Sequence, residues 1–255
     1  MSESTDLLRE VACSGAVPRF EIPGWRERFG VVAGITGRGE GGSRGFDLGL
    51  WTDAPVGETM NRWRAFRSAE PKFDGLILGH QVHGTVVQWH EAPSSGWLQL
   101  EGVDGHATQR PGLLLTVTVA DCIPVFLIDP RHKAIALLHA GWRGTAGRIL
   151  ARGVETLVKG AGSSVSEIVM HCGIGICGDC YEVGSEVVQE CGEEAEGAGP
   201  WHLDLRRTLK RQGEGLGLAQ ISTSQWCSAH DGRQFYSHRA SRGRDGRMVA
   251  YLGIL

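Results

Sequence analysis

Three short segments each place a reactive side chain beside a glycine or a sharp turn, at the edge of an apolar run. They read Gln-Val-His-Gly at 81–84, Ala-Asp-Cys at 120–122 and His-Ala-Gly-Trp-Arg-Gly at 139–144. Thiolate sulfur and imidazole nitrogen bind zinc well, and the same two groups also pair in nucleophilic catalysis. His83, Cys122 and His139 are therefore the first candidates for chemistry in this chain.

Cys122 and His139 belong to two apolar runs that flank Asp-Pro-Arg-His at 129–132. Near-continuous apolar runs around such a turn are typical of a hairpin of buried strands. If positions 129 and 132 close a tight turn, Cys122 lies directly opposite His139, within side-chain reach. A slip of one or two residues in the strand register would change this pairing.

A close cysteine–histidine pair is compatible with three interpretations. With His83 as a third ligand it would bind zinc and leave a fourth position for water, which is the open geometry of a catalytic site. Without a metal, Cys122 would be a nucleophile activated by His139. The third interpretation is a buried structural cysteine beside a hydrogen-bonded histidine, and the hairpin alone gives it the most weight.

Periodicity predicts the elements that position these groups. Helical spacing of apolar residues predicts helices over 55–69, 144–159, 183–191 and 204–212, the last capped by Asp204. Apolar and β-branched runs predict strands over 31–36, 76–78, 85–89, 113–119, 123–128, 134–138, 167–173, 219–222, 235–238 and 248–252.

Clusters of strands with helices between them favour an α+β (mixed α/β) fold, in which mixed β-sheets are layered with outer helices in a single compact domain. Residues 1–17 are predicted to be a poorly ordered N-terminal lead-in, and residues 18–255 a single catalytic domain. The chain shows no internal repeat and no stretch that resembles an interdomain linker.

The composition argues against several classes of partner. Of 255 residues, 41% are hydrophobic and 22% are charged, which is ordinary for a globular protein. The formal net charge of -3 implies no basic surface, so we expect neither nucleic acid nor a membrane as partner. The N-terminus lacks a signal-peptide pattern, and the seven cysteines follow no disulfide framework. We therefore expect a cytoplasmic protein with reduced thiols, and the oligomeric state is left open.

Two further groups could contribute to metal binding. Cys177 and Cys180 form a Cys-x-x-Cys motif, but no second motif of this kind accompanies it. A glycine-rich turn with incidental thiols is therefore favoured over a structural zinc site or a redox pair. His80 lies three residues before His83 and is a candidate auxiliary ligand.

The three reactive segments resemble the signature segments of the YfiH family, also called the laccase-domain or multicopper polyphenol oxidase-like family. The resemblance extends to Cys-Tyr-Glu-Val-Gly at 180–184, His-Leu-Asp-Leu at 202–205 and Phe-Tyr-Ser-His-Arg at 235–239. It runs in order from about residue 30 to residue 255, and Asn-Arg at 61–62 fits the early helix of the family.

This resemblance implies a metal and an activity. The family binds zinc, sometimes reported as copper, and the matching ligands in this chain are His83, Cys122 and His139. Its assigned activity is phosphorolysis of the purine nucleosides adenosine, inosine and methylthioadenosine, together with adenosine deamination. The expected partners are therefore a purine nucleoside and phosphate. For deamination, zinc would lower the pKa of its bound water to about 7.

The resemblance also suggests roles for individual residues. The expected catalytic residues are Cys122, His139 and Arg143, and the expected substrate-binding residues are Arg62, Arg239 and Asp47. Arg143 comes four residues after a ligand, which suits an anion clamp for phosphate.

The chain departs from the family pattern at three places. It has Asp47 where the family usually carries Asn, Cys172-Gly173 where Gly-Pro is usual, and His238 where the first Arg of an Arg-Arg pair is common. If these positions line the pocket, they bear on substrate preference.

Laccase chemistry is excluded on physical grounds, because a blue multicopper oxidase needs an electron-transfer copper and a separate histidine-rich trinuclear cluster. The ten histidines are scattered and include no His-x-His pair. Two alternatives to the nucleoside enzyme remain open. One is a Cys122–His139 hydrolase that acts on amide or peptide bonds, and the other is a metal-stabilised protein in the editing of peptidoglycan precursors.

Overall fold

The computed structural model describes residues 7–40, 44–91 and 95–255, which contain both strands and helices. The strands are β1 (Leu7–Leu8), β2 (Val11–Cys13), β3 (Arg19–Glu21), β4 (Val31–Thr36), β5 (Gly75–His80), β6 (Val87–His90), β7 (Gly96–Glu101), β8 (Gly105–Thr108), β9 (Leu113–Val119), β10 (Ile123–Asp129), β11 (Ala134–Ala140), β12 (Val169–Cys172), β13 (Glu182–Val183), β14 (Trp201–His202), β15 (Gln220–Ser224) and β16 (Met248–Ile254). The α-helices are α1 (Trp25–Phe29), α2 (Val56–Ala69), α3 (Trp142–Ala146), α4 (Ile149–Ala161), α5 (Ser185–Glu190), α6 (Leu205–Leu216) and α7 (His238–Ser241). Within these ranges, no helix is long and apolar enough to cross a membrane.

Two mixed sheets organise most of these strands. The first has the order β1-β15-β12-β10-β11-β8-β6, and the second has the order β2-β3-β4-β16-β9-β5-β7. β13 and β14 form a separate two-stranded ribbon. Both sheets are mixed. In the first, β12 is parallel to β15 and β10 is antiparallel to β11. In the second, β5 is parallel to β9 and β16 is antiparallel to β9.

Three buried clusters place the two sheets face to face between helices. Between the sheets, Phe126 of the first packs with Val117 of the second. On the outer face of the first sheet, Leu157 of α4 and Leu209 of α6 belong to one cluster. On the outer face of the second, Trp63 of α2 is completely buried. The order helix–sheet–sheet–helix confirms the predicted mixed α/β class and the single compact domain.

The predicted hairpin of β10 and β11 is present, but its register is shifted by two residues. Asp129 pairs with Ala134 and Pro124 pairs with His139, so the prediction that Cys122 lies directly opposite His139 is wrong. Side chains alternate between the two faces with a period of two residues. With a shift of two, Pro124 faces the same way as His139, and Cys122 lies just before β10, with its sulfur within 4.8 Å of a His139 ring nitrogen.

The turn of this hairpin explains the shift. The Asp129 carboxylate accepts hydrogen bonds from the backbone amides of Arg131 (2.9 Å) and His132 (3.1 Å). Lys133 then adopts a positive φ of 51°. The turn thus spans four residues, 130–133, whereas the predicted turn spans two.

The predicted helix over 144–159 is in fact two helices. α3 ends at Ala146 and α4 begins at Ile149, because Arg148 takes a left-handed conformation with φ 67°. Gly147 is also packed tightly, since a Cβ there would lie 2.8 Å from a methyl carbon of Thr85. The break lets α3 follow the end of β11 while α4 lies along the sheet.

Two other predictions differ from the structure. Residues 235–237 are not a strand, and α7 begins at His238 because the Ser237 hydroxyl caps it by accepting the Ala240 amide at 3.1 Å. The proposed lead-in also carries structure, since β1 pairs with β15 and β2 pairs with β3. Residues 1–6 of that lead-in lie outside the described residues.

Two buried histidines lie on neighbouring strands of the first sheet. His90 Nε2 and His106 Nδ1 are 3.2 Å apart. Burial lowers the pKa of His90 to about 4. Burial, followed by the charge of His90, lowers the pKa of His106 to about 3. Both rings are therefore neutral in the folded protein over a pH range in which unfolded histidine is protonated.

Because the unfolded chain binds more protons below pH ~6.5, we expect stability to fall as the pH is lowered from about 6.5 towards 4. Each histidine contributes up to about 1.4 kcal/mol per pH unit, and the loss ends as the folded protein itself becomes protonated. Urea unfolding at several pH values between 7 and 4 measures the free energy of unfolding. This free energy should change less with pH in His106→Gln than in the parent protein, and His202→Gln, at an exposed histidine, is the control. Equal slopes for His106→Gln and the parent protein would contradict this assignment.

Candidate metal centre and active site

Three side chains from separate segments converge at one end of the sheets. His83 lies in the loop between β5 and β6, Cys122 in the loop between β9 and β10, and His139 near the end of β11. Their potential ligand atoms all lie within 4.8 Å of one another. The ring centroids of the two histidines are 4.9 Å apart. The structure thus brings together the three residues that the sequence analysis proposed as metal ligands.

Gly141 provides the space for this cluster. A Cβ at this position would lie 2.9 Å from Cδ2 of His83 and 3.0 Å from Sγ of Cys122. Any larger residue would therefore displace two of the three ligands. This close approach explains why the residue directly after β11 is a glycine.

The buried carboxylate of Asp104 positions two of the ligands. Oδ1 accepts hydrogen bonds from His139 Nδ1 at 2.8 Å and from the His83 amide at 3.0 Å. Oδ2 accepts the amides of Gly84 at 2.8 Å and Val82 at 3.1 Å. Because Nδ1 of His139 is bonded to Asp104, its Nε2 is the nitrogen left for a metal. The hydrogen bonds from these backbone amides also hold His83 at its positive φ of 59°.

The charges in the cluster support a thiolate. Burial raises the pKa of Cys122, but the charge of His139 and hydrogen bonds from both histidines outweigh it, and the pKa of the thiol is lowered. Burial lowers the pKa of His139, but the charge of the Cys122 thiolate and the hydrogen bond to Asp104 have a larger effect, and the pKa of His139 is raised. Burial likewise opposes ionisation of Asp104, while hydrogen bonds from His139 and Gly84 lower its pKa. The thiolate is the form in which cysteine binds a metal or attacks a substrate.

Asp121 fixes the turn that carries Cys122. Its backbone has a φ of 89°, a conformation that costs a non-glycine residue about 1–3 kcal/mol. Its Oδ1 accepts the Ser228 hydroxyl at 2.6 Å, and its Oδ2 accepts the Arg239 amide at 2.7 Å. These two bonds tie the Cys122 loop to segments more than a hundred residues further along the chain.

The cluster opens into a cavity of about 440 Å³. Cavities of roughly 300–1,000 Å³ are typical of small-molecule sites. The residues that line it include aromatic and basic side chains: Trp51, Trp142, Tyr181, Arg143, Arg239 and Arg247. The site therefore combines possible metal ligands, flat apolar surfaces and positive charge.

Two of the predicted arginines line this cavity. The Arg143 guanidinium lies 4.2 Å above the ring of Trp142. The Arg239 guanidinium lies 5.0 Å from the ring of Tyr181, and its Nη1 donates to the backbone oxygen of Glu182. Both cations are therefore positioned by an aromatic neighbour.

Arg62 and Asp47 lie beside the cavity and not in its lining. Arg62 donates to Glu58 at 3.0 Å and to the backbone oxygen of Asp47 at 3.4 Å. The Asp47 carboxylate accepts the amides of Gly49 and Arg247, each at 2.8 Å. It lines an adjoining cavity that shares Arg247 with the first. Contact of these two side chains with a substrate stays a prediction.

The structure also locates the candidate auxiliary ligand and two of the departures from the family pattern. His80 Nδ1 bonds to Glu101 at 2.6 Å, and its ring stacks on Trp51 with centroids 4.6 Å apart, so His80 is not in the ligand cluster. Of the departures from the family pattern, His238 lines the cavity, whereas Cys172 is buried in the core.

Asp104, Arg247 and the Trp51–His80 stack were not found by sequence reasoning. Asp104 follows the short connection Gly102-Val103 after β7, where no motif marks it, and its role depends on two distant segments. The signal that could have pointed to it is a carboxylate directly before Gly105, where β8 begins beside β11.

The donor set fits one zinc or copper ion. Two imidazoles and one thiolate are suitable ligands for either metal. The hydrogen bond from His139 to a carboxylate is the usual support of a metal-bound histidine. Three protein ligands at the wall of a cavity leave a fourth position open to a substrate or water.

A family model described as multi-copper polyphenol oxidoreductase laccase matches residues 32–255. The chain belongs to this family, which is the YfiH family of the sequence resemblance.

Several relatives with known names or structures are similar to the chain. Purine nucleoside phosphorylase of Deinococcus radiodurans is 37% identical over 245 residues, which cover 93% of this chain and 91% of that protein. Adenosine deaminase RL5 of an unknown prokaryotic organism is 37% identical over 168 residues, which cover 61% of this chain and 63% of that protein. The crystal structure of YlmD from Geobacillus stearothermophilus superposes with a TM-score of 0.87 at 28% identity and covers 96% of this chain and 99% of that one.

Replacement of Asp104 by Asn should weaken metal binding about 10- to 100-fold, because the amide no longer provides a charged acceptor for His139 and the His83 loop. Competition with a chromophoric chelator would measure the zinc affinity. Asp74→Asn, which changes an exposed aspartate, is the matched control. An unchanged zinc affinity in Asp104→Asn would show that Asp104 does not support the site.

Proposed function

We propose that this protein is a zinc-dependent purine nucleoside phosphorylase that acts on adenosine, inosine and methylthioadenosine, with adenosine deamination as a second activity. The main support is that the ligand cluster and two arginines, Arg143 and Arg239, face the same cavity. The names of the relatives agree with this proposal, since they include both a phosphorylase and a deaminase.

The proposed metal ligands are His83, Cys122 and His139, with zinc as the metal and copper as the alternative. Such an ion, when bound, supplies a Lewis acid and an activated water at neutral pH. The protein contributes a fixed His139 tautomer through Asp104, and a thiolate at Cys122 whose negative charge balances part of the charge of the ion.

The arginines provide the anion site that phosphorolysis requires. Arg143 and Arg239 would hold phosphate through paired N–H donors, and a phosphate oxygen would attack the anomeric carbon of the ribose as the purine leaves. Arg143 is exposed and lies at the cavity lining, so it is free to contact a ligand that enters from solvent. Binding of phosphate beside the sugar orients the two reactants, which is a large part of catalysis in such reactions.

The aromatic residues provide a surface for the purine. Trp51 and His80 stack with an interplanar angle of 23°, and both line the cavity. A heterocycle can stack on a flat aromatic face with a gain of about 1–3 kcal/mol. We infer that the base binds on the Trp51 side of the cavity and that the phosphate binds at Arg143 and Arg239.

One observation favours a second candidate function. The lowered pKa of Cys122 beside His139 is also what a cysteine nucleophile needs. A Cys122–His139 hydrolase of amide or peptide bonds is therefore the main rival, although such a pair does not need His83.

Product analysis from adenosine, with and without phosphate, decides between these functions. We expect adenine to be released only when phosphate is present. We expect inosine to form with or without phosphate, as the product of the second activity. Inosine alone would identify a deaminase. Neither product, combined with iodoacetamide-sensitive cleavage of peptides, would reject the proposal in favour of the hydrolase.

Arg143→Gln should raise the KM for phosphate about tenfold or more, because a charge-assisted hydrogen bond to the anion is lost. The KM for the nucleoside should change much less. Arg152→Gln is the control, since Arg152 is exposed on α4 and pairs with Glu155 at 3.0 Å, outside the cavity lining. If the KM for phosphate is the same in Arg143→Gln and the parent protein, Arg143 does not bind phosphate.

Alkylation separates a Cys122 ligand from a Cys122 nucleophile. Because a metal-bound thiolate is protected, iodoacetamide should label Cys122 only after the metal is removed. Zinc added before alkylation should restore activity, and zinc added afterwards should not. Mass spectrometry measures labelling, and Cys13, a partly exposed thiol outside the cluster, should react equally in all samples. Metal-free protein that stays active until Cys122 is alkylated would support the hydrolase instead.

A further inference from the structure

A second group of metal-binding side chains lies apart from His83, Cys122 and His139. Cys177, Cys180, Cys227 and His230 each present a potential ligand atom, and these atoms lie within 4.8 Å of one another. Two come from the 3-10 turn at Gly178–Cys180 and the residue before it, and two come from the loop that follows β15. The spacing is Cys-x-x-Cys in the first segment and Cys-x-x-His in the second.

We propose that these four residues form a structural Zn²⁺ site with three cysteine ligands and one histidine ligand. Structural zinc is bound in tetrahedral geometry by four protein ligands, and three cysteines with one histidine is a common set. The sequence alone favoured incidental thiols at Cys177 and Cys180, because the second motif contains a histidine in place of a cysteine and becomes a partner only in the folded chain.

The distance between one sulfur and the histidine nitrogen agrees with a tetrahedral ion. With Zn–S bonds of about 2.3 Å and Zn–N bonds of about 2.05 Å, tetrahedral geometry separates sulfur from nitrogen by about 3.6 Å. Cys177 Sγ and His230 Nδ1 are 3.6 Å apart. His230 is exposed, but a ring nitrogen lies within 4.8 Å of all three thiol sulfurs.

Backbone amides surround the sulfur of Cys227 in the way that supports a thiolate ligand. The amide of Cys177 donates to Cys227 Sγ at 3.3 Å, and the amide of His230 donates to the same atom at 3.5 Å. Donors in the outer shell of a metal site orient the ligands and disperse their negative charge. These two amides would stabilise the negative charge that Cys227 Sγ carries as a metal ligand.

Hydrogen bonds within the protein hold the two segments next to each other. Gly175 and Cys227 form a parallel β-bridge, and the Ser228 amide donates to Gly175 at 2.9 Å. The Asp231 carboxylate accepts the Cys227 amide at 3.0 Å. Because these bonds fix the loops, four ligands are presented at little additional cost in conformational entropy.

The proposed site would stabilise one wall of the catalytic cavity. Ile176, next to Cys177, donates its amide to the backbone oxygen of Asp121 at 2.9 Å. Ser228, next to Cys227, donates its hydroxyl to the Asp121 carboxylate at 2.6 Å. An ion bound by the two segments would therefore stabilise the Ile176 and Ser228 contacts of Asp121, the residue before Cys122.

Two measurements on the parent protein, purified with a thiol reductant and without chelator, test this proposal before any mutation. Elemental analysis should find about two zinc ions per chain. X-ray absorption at the zinc edge should give about two sulfur ligands per zinc, which is the mean of one at the catalytic site and three at the second site. About one zinc with about one sulfur ligand would overturn the proposal, as would iron in place of zinc or a disulfide among these cysteines.

Variants then assign the ions to sites. Cys180→Ser should lose about one zinc per chain and lower the Tm, and the remaining zinc should show about one sulfur ligand. Cys122→Ala should also lose about one zinc, but the remaining ion should show about three sulfur ligands. Cys13→Ser, at a partly exposed thiol outside both clusters, should keep both ions. Full zinc content in Cys180→Ser would overturn the proposal, and because the zinc content of Cys122→Ala is measured separately, the two sites succeed or fail independently.

Discussion

The carboxylate of Asp104 accepts four hydrogen bonds, three from backbone amides of the His83 loop and one from the ring of His139. The carboxylate is buried, so without these donors it would carry a large desolvation cost. The backbone oxygen of Asp104 also accepts the His139 amide at 2.7 Å. These bonds hold the His83 loop against strand β11, so two of the three ligands owe their positions to this one carboxylate.

The two sheets supply the frame for that arrangement. β8 begins directly after Asp104 and pairs with β11, while β9 of the second sheet leads into the Cys122 loop. Because the buried cluster between the sheets fixes their relative position, ligands from both sheets meet at one edge. The strained turn at Asp121 is held from the other side by Ser228 and Arg239. The cavity thus depends on contacts between widely separated parts of the chain.

Much of this could be read from the sequence, and the limits have physical causes. β4 and β9 have their predicted bounds, because uninterrupted apolar runs leave little choice of element. Cys122 and His139 are close although the predicted register was wrong by two residues, because the Cys122 loop leads directly into β10, and β10 pairs with the strand that carries His139. β8 was missed, since Gly-His-Ala-Thr carries no strand pattern, and Asp104 was missed with it. Cys227 and His230 could not be joined to Cys177 and Cys180 because their proximity comes from a tertiary β-bridge.

The central claim is that the activity of this protein depends on one ion at His83, Cys122 and His139. Stepwise addition of zinc to rigorously metal-free protein, with adenosine and phosphate present, tests it most directly. The account predicts that the rate of adenine release rises from the background and saturates when the three-ligand site is filled in the parent protein, and that it stays at background in Cys122→Ala. Full adenine release in metal-free protein would contradict the account.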